Sequence, residues 1–136
     1  MKTSIWLSLS LILLTAPGCY FGINDEDLRN ISAADVRERL QDEPDTTVLV
    51  DARSPGEFVS GRIPGALSRP LPKVTRFDRP LSDSEMIIVY GSDFNDDRTP
   101  AVAKRLMTYE FKKIRAFRGG VARWTETDGT LTAPEE

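Results

Sequence analysis

VLVDARSPGEFVSGRIPGA, residues Val48 to Ala66, decides the architecture of this chain. It opens inside TTVLV (Thr46 to Val50), a β-branched apolar run with no polar alternation, the pattern of a strand buried on both faces. Ser54-Pro55-Gly56-Glu57-Phe58 follows almost at once. Ser54 is a good N-cap and Pro55 suits the first helical position, so a short helix is predicted there. Gly61 to Gly65 (GRIPG) is rich in turn formers, and Ala66-Leu67-Ser68 predicts a second, short strand.

The flanks repeat the alternation. Upstream, Ser32 caps a helix whose Ala33, Val36 and Leu40 share one face, with Asp35 completing a variant capping box and Glu43-Pro44-Asp45 ending it. Downstream, Arg69 to Pro80 carries Pro70, Pro72 and Pro80 and reads as a loop. MIIVY (Met86 to Tyr90) is a continuous apolar run suited to a central parallel strand. The polar loop Gly91 to Asp97 follows, and Thr99-Pro100 opens a helix with Val102, Ala103, Leu106 and Tyr109 on its buried face. Ile114 to Phe117 predicts a third parallel strand, Gly119-Gly120 a tight turn and Val121 to Thr127 a last helix. Strands alternating with helices predict an α/β fold: one domain with a central parallel sheet of about five strands and helices on both faces.

The N-terminus is a separate object. Lys2, the apolar run Ile5 to Leu14 and the small-residue exit Thr15-Ala16-Pro17-Gly18 form a secretory signal, too short for the about 20 residues that span a bilayer. Ala16-Pro17-Gly18-Cys19 resembles a bacterial lipobox, with Cys19 as the lipidated mature N-terminus; ordinary cleavage after Gly18 is the alternative. Cys19 is the sole cysteine of 136 residues, so it has no intrachain disulfide partner. The expected organisation is a signal peptide at 1–18, a tether at 19–30, the domain at 31–131 and a tail at 132–136. The expected location is the cell envelope, lipid-anchored to a bacterial membrane.

Composition excludes several functions. The net charge is -3 and the basic residues are interleaved with acids, so there is no basic footprint for nucleic acid. With no histidine and no cysteine beyond Cys19, imidazole and thiol catalysis within the domain are excluded, and zinc is disfavoured. Asp93-Phe94-Asn95-Asp96-Asp97 starts like a calcium loop, but Arg98 stands where glycine is needed and Lys104 where a bidentate glutamate is needed. No metal and no cofactor is expected.

Two stretches carry a family resemblance. The first is the opening segment, with Asp51 and Arg53 closing a strand, the pair Glu57-Phe58, and Gly-Arg-Ile-Pro-Gly-Ala from Gly61 to Ala66. The second is IRAFRGGVARW (Ile114 to Trp124), with Gly119, Gly120 and Trp124. Together they resemble a rhodanese-like domain. The resemblance implies a sulfurtransferase scaffold in which a cysteine directly after the central strand carries a persulfide. That position holds Gly91, and family members often have histidine where this chain has Arg62. Ser92 has no histidine to act as its base. The loop Gly91, Ser92, Asp93, Phe94, Asn95, Asp96, Asp97, Arg98 is longer than the family's loop and sets three carboxylates against one cation. A bound anion would meet repulsion of about 1 kcal/mol or more from each carboxylate at contact distance.

The expectation is therefore a degenerate active-site loop with no catalytic residue, in a catalytically inactive, membrane-anchored module that binds a protein partner. The alternative is a rhodanese-related enzyme with residual or non-cysteine chemistry. Asp51, Arg53, Glu57, Arg62, Gly119, Gly120 and Trp124 are expected to be structural, with Glu57 pairing locally. Phe94, an aromatic in a polar loop, is expected first as a ring tucked into its own loop, and second as a candidate partner contact.

Overall fold

The computed structural model describes residues 22–133. The signal segment and Cys19 lie outside the described residues. In chain order the elements are α1 (Ala33–Asp42), β1 (Thr47–Asp51), α2 (Pro55–Ser60), β2 (Leu67–Ser68), α3 (Arg79–Ser82), β3 (Met86–Tyr90), α4 (Arg98–Thr108), β4 (Ile114–Phe117) and α5 (Gly120–Glu126). The sheet is parallel throughout, in the order β2-β1-β3-β4. It has four strands. A fifth position beside β4 is filled by a single parallel bridge between Asn30 and Ala116, with Ala116 N–H donating to Arg29 O and Ile31 N–H to Ala116 O.

Strand alternation sorts the side chains into two cores. Val50, Ile87, Val89, Ile114 and Ala116 face Val102, Ala103 and Leu106 of α4 and Leu81 of α3. Leu49, Ile88, Tyr90 and Phe117 face Val36 of α1, Phe58 of α2 and Trp124 of α5. Both faces of the sheet are covered, which explains why β1 and β3 read as unbroken apolar runs.

Two expectations are corrected. Residues 24–30 are not a plain tether. Asn24 caps a 3-10 turn at Asp25–Asp27, Leu28 is buried, and Asn30 joins the sheet edge. A polar segment whose backbone pairs with a sheet leaves no hydrophobic period to read. The proline-rich stretch is likewise not all loop: it holds a 3-10 turn at Leu71–Lys73 and the start of α3, each with proline in its first turn, where the missing N–H costs nothing.

Candidate functional site

Parallel strands deliver their C-terminal ends to one edge of the sheet, and the motif residues gather there. Asp51, the last residue of β1, is fully buried. It accepts from Arg53 N–H at 2.9 Å, from the Arg53 guanidinium at 2.7 to 3.2 Å and from Tyr90 OH at 2.8 Å. Arg53 also donates to Gly61 O at 2.6 Å, and Tyr90 OH accepts from Ile63 N–H at 3.2 Å. These bonds tie β1, β3 and the GRIPG turn into one knot. Burial pushes the Tyr90 hydroxyl far above its ordinary pKa, with the Asp51 carboxylate adding to the shift. Burial would lower Arg53, but its bonds to Asp51 outweigh it and the shift is upward. Tyr90 is thereby held as the neutral phenol and Arg53 as the cation.

Gly91 follows β3. A Cβ placed on it would lie 2.6 Å from Asp96 Oδ2, 2.6 Å from Thr99 Oγ1 and 2.8 Å from Asp96 Cγ. The space for a side chain at this position is already filled from within. The Asp96 side chain is 7% exposed. It accepts from Ser92 N–H (2.7 Å), Arg98 N–H (3.1 Å), Arg98 Nε (2.8 Å) and Arg98 Nη2 (2.8 Å). It sits against the N-terminus of α4, where backbone N–H groups and the helix dipole favour an anion. Burial raises the Asp96 carboxyl, but the bonds from Arg98 and the two backbone N–H groups prevail and bring it down to about 2.

Arg98 is divided between two acids. Its Nη1 and Nη2 reach Glu57 at 2.6 and 3.1 Å, while Nε and Nη2 hold Asp96. Glu57 completes the Ser54 capping box and also crosses to the loop, so its pairing is not only local. The correction has a simple cause: α2 and the loop both rise at the same end of the sheet. Ser92 Oγ donates to Glu57 Oε1 at 3.2 Å. This superficially pairs a nucleophile with a base. However, the bond from Arg98 first, then that from Ser54, holds the Glu57 carboxyl far below its usual range, so it is too weak a base to activate a hydroxyl.

The other loop acids point elsewhere. Asp93 accepts from Asn95 N–H at 2.8 Å, and Asp97 occupies the N-cap position of α4 without a side-chain capping bond. Among the described residues, no group of three acids converges to hold a metal ion. Phe94 is 65% exposed, with the Arg118 guanidinium 5.0 Å from its ring centroid and Arg118 Nη2 donating to its carbonyl at 3.0 Å. Both line a groove of about 370 Å³ with Ile31, Ala34, Phe117 and Arg37. No aspartate or glutamate lines it.

The remaining motif residues hold the frame. Arg62 stacks on Phe58 at 4.7 Å and bridges to Thr132. Trp124 is buried, with Nε1 donating to Thr130 O at 3.0 Å and Arg37 above its ring at 4.6 Å. Gly119 precedes α5, and Gly120 has φ +57, with a Cβ there running into the Gly91 carbonyl. That close approach lets Val121 and Ala122 N–H donate to Gly91 O and Ser92 O at 3.0 and 2.9 Å. Tyr90 and Thr99 lie beside the site through contacts that the sequence does not show. Their apolar and helix-opening contexts gave them other roles, although Asp96-Asp97-Arg98 repeats the Asp-x-Arg spacing of Asp51-Ala52-Arg53 and forms the same local bonds.

The model for the rhodanese-like domain matches residues 32–127. The chain belongs to the rhodanese-like domain family. A protein named sulfurtransferase from Allochromatium vinosum is 28% identical over 109 residues, covering 79% of this chain and 98% of that protein. The solved rhodanese-like domain of the Anabaena sp. Alr3790 protein is 25% identical, with a TM-score of 0.67, covering 77% of this chain and 79% of that one. A Bacillus halodurans protein superposes with a TM-score of 0.68 at 19% identity, covering 77% of each chain, and shares the fold. The four-stranded parallel sheet with helices on both faces is the rhodanese-like architecture.

Proposed function

We propose that this rhodanese-like domain does not transfer sulfur and serves instead as a binding module, held at a bacterial membrane by lipid on Cys19. One observation carries the loss of chemistry: the Asp96 carboxylate fills the space that a side chain at position 91 would need. A persulfide requires a thiol at the end of β3, and glycine supplies none. A thiosulfate dianion entering there would meet Asp96 and Glu57, whose shared counter-ion Arg98 is already committed to both. Two carboxylates against one guanidinium leave the loop net negative, and a like charge at 4 Å costs about 1 to 4 kcal/mol depending on exposure.

The surface that favours a protein partner is the groove beside Phe94. Its apolar floor and arginine rim suit an acidic segment carrying an apolar side chain. The decisive assay is thiocyanate formation from thiosulfate and cyanide by the purified chain. A rate equal to the protein-free blank is expected, and catalytic turnover would overturn the proposal. Mass spectrometry of the mature protein tests the anchor: diacylated Cys19 is expected, and an unmodified residue removes it.

A further inference from the structure

The loop between β2 and α3 exposes Phe77 at 90%, the most exposed large hydrophobic residue described. Nothing in the fold requires it there: Val74 and Leu81, on either side, supply the buried contacts of this segment. Lys73, Arg76 and Arg79 surround it and are exposed. Asp78, the acid of this loop, is buried and tied to Arg69 at 2.5 Å. Arg76 carries the patch onward by stacking on Tyr109 at 5.5 Å. There it meets the C-terminal end of α4, where Lys112 and Lys113 are also exposed. Among the described residues, Lys73, Arg76, Arg79, Lys112 and Lys113 form no ion pair. The exposed Glu110 lies among them, lining one cavity with Arg76 and Lys112, but the five cations outnumber it and, on a chain of net charge -3, reverse the local sign around an exposed aromatic.

The chain also enters the fold at this place. Ile23 shares a cavity of about 330 Å³ with Met107, Phe111 and Lys113, and Phe111 lines a second cavity with Arg76 and Tyr109. Beyond Ile23, Asp25 pairs at 2.7 Å with Lys104 in the C-terminal half of α4. Asp27 and Arg29 line the first of these cavities together with Lys113, and only Tyr20 and Phe21 separate Cys19 from Gly22.

From this we propose that the loop Lys73–Arg79 and the C-terminal end of α4 form a docking face for an anionic lipid surface, with Phe77 entering the interface and the lysines and arginines meeting the headgroups. Aromatic rings flanked by Lys and Arg belong at that boundary, and basic residues near an anionic leaflet attract it within a Debye length. The face extends the envelope anchoring proposed above but needs no lipid on Cys19. With docking there, the Gly91–Asp97 loop, which leads into the opposite end of α4, is turned away from the membrane.

The test uses the chain from residue 19 with Cys19→Ser, which contains all of both cores and carries no acyl chain. It is sedimented with vesicles of equimolar phosphatidylglycerol and phosphatidylcholine, and with vesicles of phosphatidylcholine alone. Binding to the anionic vesicles only, weakening as salt is raised, is expected. Phe77→Ser should weaken it by about tenfold or more, and Lys73→Gln with Arg79→Gln by about tenfold or more. Val59→Ser, which changes an exposed residue of α2, should leave it unchanged. Equal binding to both vesicle types, no binding at low salt, or binding that is indifferent to Phe77 would each overturn the inference. Because the probe carries no lipid, failure here leaves the status of Cys19 to its own mass measurement.

Discussion

Replacing Gly91 with cysteine restores the atom that sulfur transfer needs, yet the structure predicts a damaged protein with no activity. The added Cβ would lie 2.6 Å from both Asp96 Oδ2 and Thr99 Oγ1, whereas real Cβ contacts stay above 3.0 Å. Thr99 is fully buried, so its Oγ1 can turn aside only into packed surroundings. Asp96 can yield only by giving up its bonds to Ser92 N–H and to Arg98. Overpacking of this kind costs about 1 to 3 kcal/mol, and each lost bond to a charged group adds up to about 1.5 to 3 kcal/mol before rearrangement and screening. A net loss of about 2 to 4 kcal/mol is expected, which lowers the melting temperature by roughly 10 °C or more at about 4 to 8 °C per kcal/mol. The neighbouring carboxylate also pushes the new thiol's pKa up and leaves less thiolate to attack. Gly91→Cys with Asp96→Gly removes the Asp96 contacts and leaves the one to Thr99 Oγ1, so the two substitutions should be coupled by about 1 kcal/mol or more. The four proteins of this cycle are compared by thermal or urea unfolding and by thiocyanate formation. Additive stabilities, or a single Gly91→Cys variant as stable as the parent, would refute the reasoning.

Three other outcomes follow from the same contacts. Arg53→Ala leaves the buried Asp51 carboxylate uncompensated and should cost about 3 to 5 kcal/mol in urea unfolding; a loss under about 1 kcal/mol would mean that Asp51 is not held as described. Gly120→Ala, at φ +57 and against the Gly91 carbonyl, should lower stability by more than the about 1 to 2 kcal/mol of left-handed backbone strain alone, and an unchanged melting temperature would contradict the close packing of α5 on the loop. Asp96, at about 2 in the folded protein against 3.8 as its ordinary value, contributes stability that is complete above about pH 4 and lost as pH falls toward 2. Unfolding measured across that window should steepen less in Asp96→Asn, and identical pH profiles would count against the assignment.

Much of this was legible in the chain. The stretch from Val48 to Ser68 placed β1, α2 and β2 because N-cap, proline and turn chemistry are local. The run Met86–Tyr90 placed β3 because burial on both faces leaves no polar alternation. The site was only half legible. Gly91 stands where the resemblance implies a nucleophile, but Asp93, Asp96 and Asp97 look alike in the sequence, as a diffuse negative field. Which acid turns inward depends on the α4 N-terminus and on Arg98 reaching Glu57, and that contact joins residues 41 positions apart in sequence. Long-range partners of this kind leave no period or spacing to find. The docking of residues 24–30 was hidden for the same reason, since backbone bonds to β4 demand no particular side chains.

The most direct measurement follows the side-chain carboxyl carbon of Asp96 by NMR, as a function of pH and of added thiosulfate. A carboxyl that titrates at about 2 and is unmoved by thiosulfate is predicted. One that titrates near 3.8 and shifts saturably as thiosulfate is added would mean that the space beside Gly91 is open to an outside anion, and the account would fail.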